Sequence, residues 1–249
     1  MPQQLFYLND DPSWFPDPNG ALDDPSGLLA IGGDLTSERV HQAYLNGVFP
    51  WYSDDEPIMW WSPDPRAIFY PEQIKVNKSL RKFLKKCQYS VSINTDFKRV
   101  MEHCAKPRPN SEGTWIMPEM IDCYSQLHRE GHAHSIEIWQ IDENGKDLIG
   151  GLYGVLVGNC FCGESMFSKQ KNASKLALIC LAELLKTSEG SFIDCQLPNP
   201  YLMSMGAKLI SREVYLSKLL SAKIKSTQDS LFSPRFIQWQ TILKHNDNG

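Results

Sequence analysis

The sequence predicts an α+β chain, with a small N-terminal domain ahead of a larger one built on a mixed sheet with flanking helices. Three observations carry this. Residues 133–141 and 148–157 are apolar runs of strand length on either side of Asp142-Glu143-Asn144-Gly145, which reads as a hairpin. Cys160–Met166, a helical segment from Asn172 to Lys186, and the run Phe192-Ile193-Asp194-Cys195-Gln196 make strand, crossover helix and strand. Such a connection sets its two strands side by side and parallel. Residues 1–65, by contrast, are dense in turn residues and acids, so the boundary is expected there, with 66–249 as the second domain.

The elements follow in order. Asp17-Pro18-Asn19-Gly20, Asp24-Pro25-Ser26-Gly27 and Gly32-Gly33-Asp34 are turns. Thr36 or Ser37 caps a short helix that carries Val40, Ala43 and Tyr44 inward and stops at Gly47. Trp51, Trp60 and Trp61 then fall within eleven residues; such density packs a core or builds a stacking platform. A strand near Ala67–Tyr70 opens the larger domain. The next segment, Lys75–Lys86, has six bases and no acid. At 100° per residue Lys78, Arg81, Lys82, Lys85 and Lys86 share one face, and Leu80, Phe83 and Leu84 the opposite one. A strand at Val91–Ile93 and a helix at Asp96–Cys104 come next. A Pro/Asn/Gly-rich loop, Pro107–Gly113, delivers Thr114-Trp115-Ile116, and a helix runs from Pro118 to Glu130, closed by Gly131. After the crossover unit come Gly206, a strand near Leu209 and a helix from Arg212 to Leu220. The last 25 or so residues are polar and read as a partly ordered tail.

Composition narrows the chemistry. No apolar run approaches the roughly 20 residues that span a bilayer, and the N-terminus lacks a signal-peptide pattern, so a cytoplasmic protein without a membrane partner is expected. Seven cysteines, an odd number with no CxxC, fit a reducing compartment. Cys160 and Cys162 have no zinc-spaced second pair, and His132-Ala133-His134 has no third ligand, so no metal site is expected. Residues 1–65 hold eleven acids and one base, so the net charge of −4 hides a net +6 over residues 66–249, where an anionic partner should bind. Nothing such as a heptad seam argues against a monomer.

Glu164, Asp194 and Gln196 are polar groups inside apolar strands, two of them two residues apart and so on one face of a strand. Buried, they need partners or a task. P-loop, dinucleotide, nucleophile-elbow and HExxH signatures are missing. The meander, crossover helix and further strand suggest the acyl-CoA N-acyltransferase (GNAT-like) architecture. Its glycine-rich pyrophosphate turn, however, is here Gln170-Lys171-Asn172-Ala173-Ser174-Lys175, without either glycine, which argues against a coenzyme A donor.

Seven blocks from about residue 14 to about 220 are more specific. They are Gly27-Leu28-Leu29-Ala30-Ile31-Gly32-Gly33-Asp34-Leu35, Gly47-Val48-Phe49-Pro50-Trp51, Trp60-Trp61-Ser62-Pro63-Asp64-Pro65-Arg66, Glu112-Gly113-Thr114-Trp115-Ile116, Gly131 to Glu137, Phe161 to Ser168, and Ile193-Asp194-Cys195-Gln196. In order and spacing the chain resembles the leucyl/phenylalanyl-tRNA–protein transferases. The resemblance implies transfer of leucine or phenylalanine, with methionine tolerated, from aminoacyl-tRNA to the α-amine of proteins beginning with arginine or lysine. The product is tagged for N-degron proteolysis, and no cofactor is required. It further implies a proton path through Asp194 with Gln196, and Glu164 holding the cationic acceptor. Trp51 and Trp115 would lie near the terminal adenosine and aminoacyl group. The side-chain pocket would comprise Leu152, Phe161, Met166, Leu178, Leu181, Leu185 and Ile193, with Leu181 and Leu185 where relatives carry phenylalanine. The basic face of Lys78, Arg81, Lys82, Lys85 and Lys86 would meet tRNA phosphates. Two rival readings are a tRNA-binding module without catalysis and a coenzyme A-dependent N-acetyltransferase.

Overall fold

A computed structural model describes residues 4–107, 114–143, 145–187, 191–225 and 230–244. In chain order its elements are β1 (Phe6–Leu8), β2 (Leu28–Gly32), α1 (Ser37–Leu45), β3 (Phe49–Pro50), β4 (Met59–Trp61), β5 (Arg66–Phe69), α2 (Lys78–Leu84), β6 (Ser90–Ile93), α3 (Phe97–Cys104), α4 (Pro118–Arg129), β7 (Ala133–Asp142), β8 (Gly145–Val157), β9 (Cys160–Ser168), α5 (Ala173–Leu185), β10 (Phe192–Asp194), α6 (Pro200–Ser204), β11 (Lys208–Ile210), α7 (Arg212–Lys223), β12 (Arg235–Ile237) and α8 (Trp239–Lys244). They form two mixed sheets. The small one runs β1-β2-β4-β3 and the large one β11-β5-β10-β9-β8-β7-β6-β12. The strand–helix–strand reading holds: β9 and β10 are parallel, with Phe192, Ile193 and Asp194 opposite Cys160, Phe161 and Cys162.

Local chemistry explains the helix ends. Thr36 Oγ1 accepts from Arg39 N at the start of α1 and Asn77 Oδ1 from Leu80 N at the start of α2; each satisfies a donor the helix leaves open. α2 is shorter than the basic segment, because Asn77 caps it on one side and Lys85 ends it on the other. Leu80 and Leu84 are buried, whereas Lys75, Lys78, Arg81, Lys82, Lys85 and Lys86 are all exposed.

The large sheet separates two cores. One face carries Val40, Tyr44, Trp60, Phe97, Tyr124, Tyr153, Phe192 and Tyr215, so α1, α3, α4, α7 and the small sheet share a single apolar body. The other carries Phe161, Leu178, Leu181, Leu185 and Ile193, covered by α5, with Leu80 of α2 and Trp239 of α8. Of the residues sequence reading took for a partly ordered polar tail, the described stretch 230–244 carries β12 and α8 and is built into this face. β12 pairs antiparallel with β6, Leu231, Phe232 and Trp239 are buried, and the Trp239 indole donates to Tyr89 O at 2.8 Å. Three buried aromatic and aliphatic side chains outweighed the polar average. Residues 226–229 and 245–249 lie outside the described residues, as do 108–113, which include Glu112, Gly113 and most of the predicted loop, and Asn144 of the hairpin turn. Of the paired histidines, His132 stacks on His41 and His134 on Phe232.

Candidate active site

A cleft of about 980 Å³ opens beside β9 where β10 ends. β10 reaches only Asp194, opposite Cys162, while β9 continues to Ser168. Beyond that point the two chain paths part. The cleft is lined by Leu152, Phe161, Met166, Leu178, Leu181, Ile193, Trp115, Glu164 and Gln196, among others. Phe161 and Ile193 are register partners on adjacent strands, and Leu152 stands opposite Met166. Leu178 and Leu181 reach the same space from α5. The apolar end of the cleft is therefore made by three strands and the crossover helix.

Glu164 enters the cleft through a bulge. Tyr153 pairs with Ser165 but Gly154 with Gly163, which leaves Glu164 as the surplus residue. A bulge re-aims a side chain in this way. Gly154 permits it: a Cβ there would stand 2.2 Å from Cys162 O. The carboxylate Oε1 accepts from Gln196 Nε2 at 2.7 Å and Oε2 from the Tyr124 hydroxyl at 3.3 Å. Tyr124 and Tyr44 hydroxyls are 2.6 Å apart. Burial pushes the Glu164 carboxyl up to about 7, assisted by the negative charge of Asp194 and opposed by the Tyr44 and Tyr124 hydroxyls. Tyr153, also lining the cleft, has a buried hydroxyl without a hydrogen-bond partner among the described residues.

Asp194 does not line the cleft. It is 0% exposed and faces the opposite side of the sheet from Ile193. Its Oδ1 accepts from Arg66 Nε and from Gln196 N, both at 2.9 Å. Its Oδ2 accepts from an Arg66 terminal nitrogen at 2.7 Å and from the Tyr215 hydroxyl at 2.9 Å. A direct proton path from substrate to Asp194 is thus closed by burial and by the four donors it already accepts from. The expectation that Asp194 and Gln196 share a strand face also needs correction. The strand ends between them, and Gln196 adopts φ 55°, so its backbone turns back to Asp194 while its amide reaches Glu164. What Asp194 does is hold that turn.

Two further expectations differ. Leu185 is fully buried in the core under α5 and does not line the cleft. Trp51 lies off the cleft lining, 40% exposed, with its ring 5.7 Å from that of Trp61. The bases of α2 do not line the cleft; Arg81 and Lys85 line a second cavity together with Ile179 and Ala182 of α5. Sequence reading missed the roles of Tyr44, Tyr124, Tyr153, Arg66 and Tyr215. Arg66 alone carried a usable signal: an arginine opening the apolar strand Arg66-Ala67-Ile68-Phe69 needs a buried carboxylate, and Asp194 sits in the matching position of another apolar strand.

Comparison with known proteins places this cleft in an enzyme of the aminoacyltransferase class. The family model described as leucyl/phenylalanyl-tRNA protein transferase matches residues 68–220, and that of the same family's N-terminal domain matches residues 33–64. Proteins named leucyl/phenylalanyl-tRNA–protein transferase are similar over most of their length. The one from Colwellia psychrerythraea is 51% identical over 236 residues, covering 94% of this chain and 98% of its own. The one from Shewanella piezotolerans is 52% identical over 215 residues, covering 86% and 89%. The chain belongs to the leucyl/phenylalanyl-tRNA protein transferase family. A solved chain titled the structure of L-PGS from Bacillus licheniformis aligns over 86% of this chain and 70% of its own at 9% identity, with a TM-score of 0.34, too low to assign a fold.

Proposed function

We propose that the cleft moves leucine or phenylalanine, and methionine less well, from aminoacyl-tRNA to the α-amine of proteins beginning with arginine or lysine. The observation that carries this is Glu164: a carboxyl poised near neutrality, bonded to an amide, at the polar end of a cleft whose other end is apolar. The apolar end suits an uncharged aliphatic or aromatic side chain, and such a pocket separates neighbouring chain lengths by only about 1–3 kcal/mol, so some tolerance follows. The carboxylate end suits the cationic acceptor.

The donor ester is already activated, so the amine attacks its carbonyl carbon directly. An amide C–N bond forms, the ester C–O bond breaks, and the tRNA leaves with its 3′ hydroxyl restored. The amine begins as an ammonium with a pKa near 8 and must lose a proton. Glu164, near 7, takes it with little mismatch. Gln196 orients the amine, while Asp194 and Arg66 act as positioning residues behind it. Trp115 flanks the terminal adenosine and the exposed face of α2 meets tRNA phosphates. Trp51, outside the cleft lining, would contribute only to an outer part of the donor.

Residues 1–65 form the smaller domain in this reading and 66–249 a GNAT-like aminoacyl-transfer domain, supported by the meander β6–β9, the crossover α5 and the parallel strand β10. The protein acts as a cytoplasmic monomer, and its product, now beginning with leucine or phenylalanine, enters N-degron proteolysis.

The test is transfer of radiolabelled leucine from leucyl-tRNA to an arginine-initiated peptide, with a glycine-initiated control, across pH 5.5–8.5. Label on the arginine peptide alone is expected, with a rate that rises through about pH 7. Glu164→Gln should lose about 10²–10⁴-fold in kcat and that pH limb together. No transfer despite salt-sensitive tRNA binding would leave a binding module without chemistry. An unchanged pH limb in Glu164→Gln would move the proton path elsewhere.

A further inference from the structure

His103 lies in the last turn of α3, and its imidazole stacks on Phe167 of β9, with ring centroids 4.8 Å apart and 30° between planes. Both line the cleft, as do Lys106, Lys169 and Trp115. Arg99, one turn earlier on α3, joins them through Asp147: its Oδ1 is 3.3 Å from Lys169 Nζ and 3.8 Å from the Arg99 guanidinium. Arg99 also lies 3.7 Å from Asp96. Burial and the positive charges of Lys169, Lys106 and Arg99 push the His103 imidazole down to about 4, so at neutral pH it presents an uncharged π face.

An aromatic stack flanked by cations is a poor fit to an amino-acid side chain. It fits one link of a single-stranded nucleic acid, since every base has a π face and every link one phosphate. The reading above leaves it without a role, because the amino acid sits against Leu152, Phe161 and Ile193 and the adenosine against Trp115.

We propose that His103 and Phe167, with Lys106 and Lys169, form a second nucleotide subsite that takes the base and phosphate of the nucleotide preceding the terminal adenosine. The inference rests on the cleft being an aminoacyl-adenosine site. It makes the donor a two-nucleotide ligand at the cleft, apart from contacts at α2. Asp147 holds Lys169 and Arg99 beside the rings until a phosphate competes for them.

Three donors decide it: leucyl-adenosine, its 5′-phosphorylated form, and leucyl-cytidylyl-adenosine, each assayed with the arginine-initiated peptide. In the wild-type protein KM should fall in that order, by about tenfold or more from first to last, the base supplying most of the final step. His103→Ala should abolish the gain from the base and keep the gain from the phosphate. Lys169→Ala, an exposed change that leaves the fold intact, should reduce the gain from the phosphate. Equal KM for the three donors, or variants that keep the wild-type ratios, would overturn the subsite, as would a dependence of these residues on acidic positions in the peptide rather than on the donor. Failure of the underlying reading looks different: leucyl-adenosine itself would then give no transfer.

Discussion

Asp194 and Glu164 show how one functional group, the carboxylate, takes two fates from its surroundings. Asp194 meets Arg66 with two hydrogen bonds and is sealed from solvent, whereas Glu164 accepts from a neutral amide and a neutral hydroxyl and opens on the cleft. Removing one partner from a buried ion pair strands the other charge, at a cost of about 3–5 kcal/mol. Asp194→Asn should therefore lower the unfolding free energy measured in urea by several kcal/mol, and activity should fall mainly with the folded fraction. A variant of wild-type stability that no longer turns over would return Asp194 to the chemistry. The identity of these polar residues was legible in the sequence; their division of labour was not. Alternation put Asp194 and Gln196 on one face, and only the left-handed turn at Gln196 separates them.

At the scale of elements, periodicity was most informative where one face is wet. The stripe on α2 follows from 100° spacing, and its bases are all exposed. Replacing Lys82 and Lys86 together with glutamine should make the slope of log affinity for tRNA against log salt shallower by about 2 and leave thermal stability unchanged. An unaltered slope would place the phosphates elsewhere. The crossover unit was legible because a helix between two apolar runs admits few arrangements. The C-terminal segment was misread for the opposite reason. Its polar residues are many and its buried ones few, but Phe232 and Trp239 dock into positions made by β6, β7 and β9, which no local pattern announces.

At the scale of the whole molecule, three imidazoles among the described residues are kept neutral by the fold. His41 is pushed down to about 4 by burial and by His132, His134 to about 3 by burial and by His128 and His132, and His103 to about 4. In the unfolded chain each titrates near 6.5. Between about 6.5 and 4 the unfolded state thus binds more protons, so the stability these groups contribute above 6.5 is lost as pH falls through that window. Glu164 acts in the opposite sense, since its raised value contributes stability below about 4.5 that is lost as pH rises through about 7. Unfolding near pH 5.5 should then take up about two net protons. Denaturation midpoints between pH 7 and 5 measure this, and His41→Gln should reduce the uptake by about one. A midpoint flat over that range would mean the three rings are solvated.

The surplus residue in β9 has a consequence beyond aiming Glu164. A strand with one extra residue carries two phases. Before the bulge Phe161 looks toward α5, and after it Met166, five positions on, looks the same way, while Phe167 turns to the other core. In an unbroken strand, positions five apart would look in opposite directions. Substitution can therefore retune what faces the amino acid, larger or smaller, but cannot choose which positions face it. Deleting Glu164, the surplus residue itself, would put Met166 four positions after Phe161 in an unbroken strand, so Met166 and Phe167 would keep their faces and the cleft would lose its carboxylate alone.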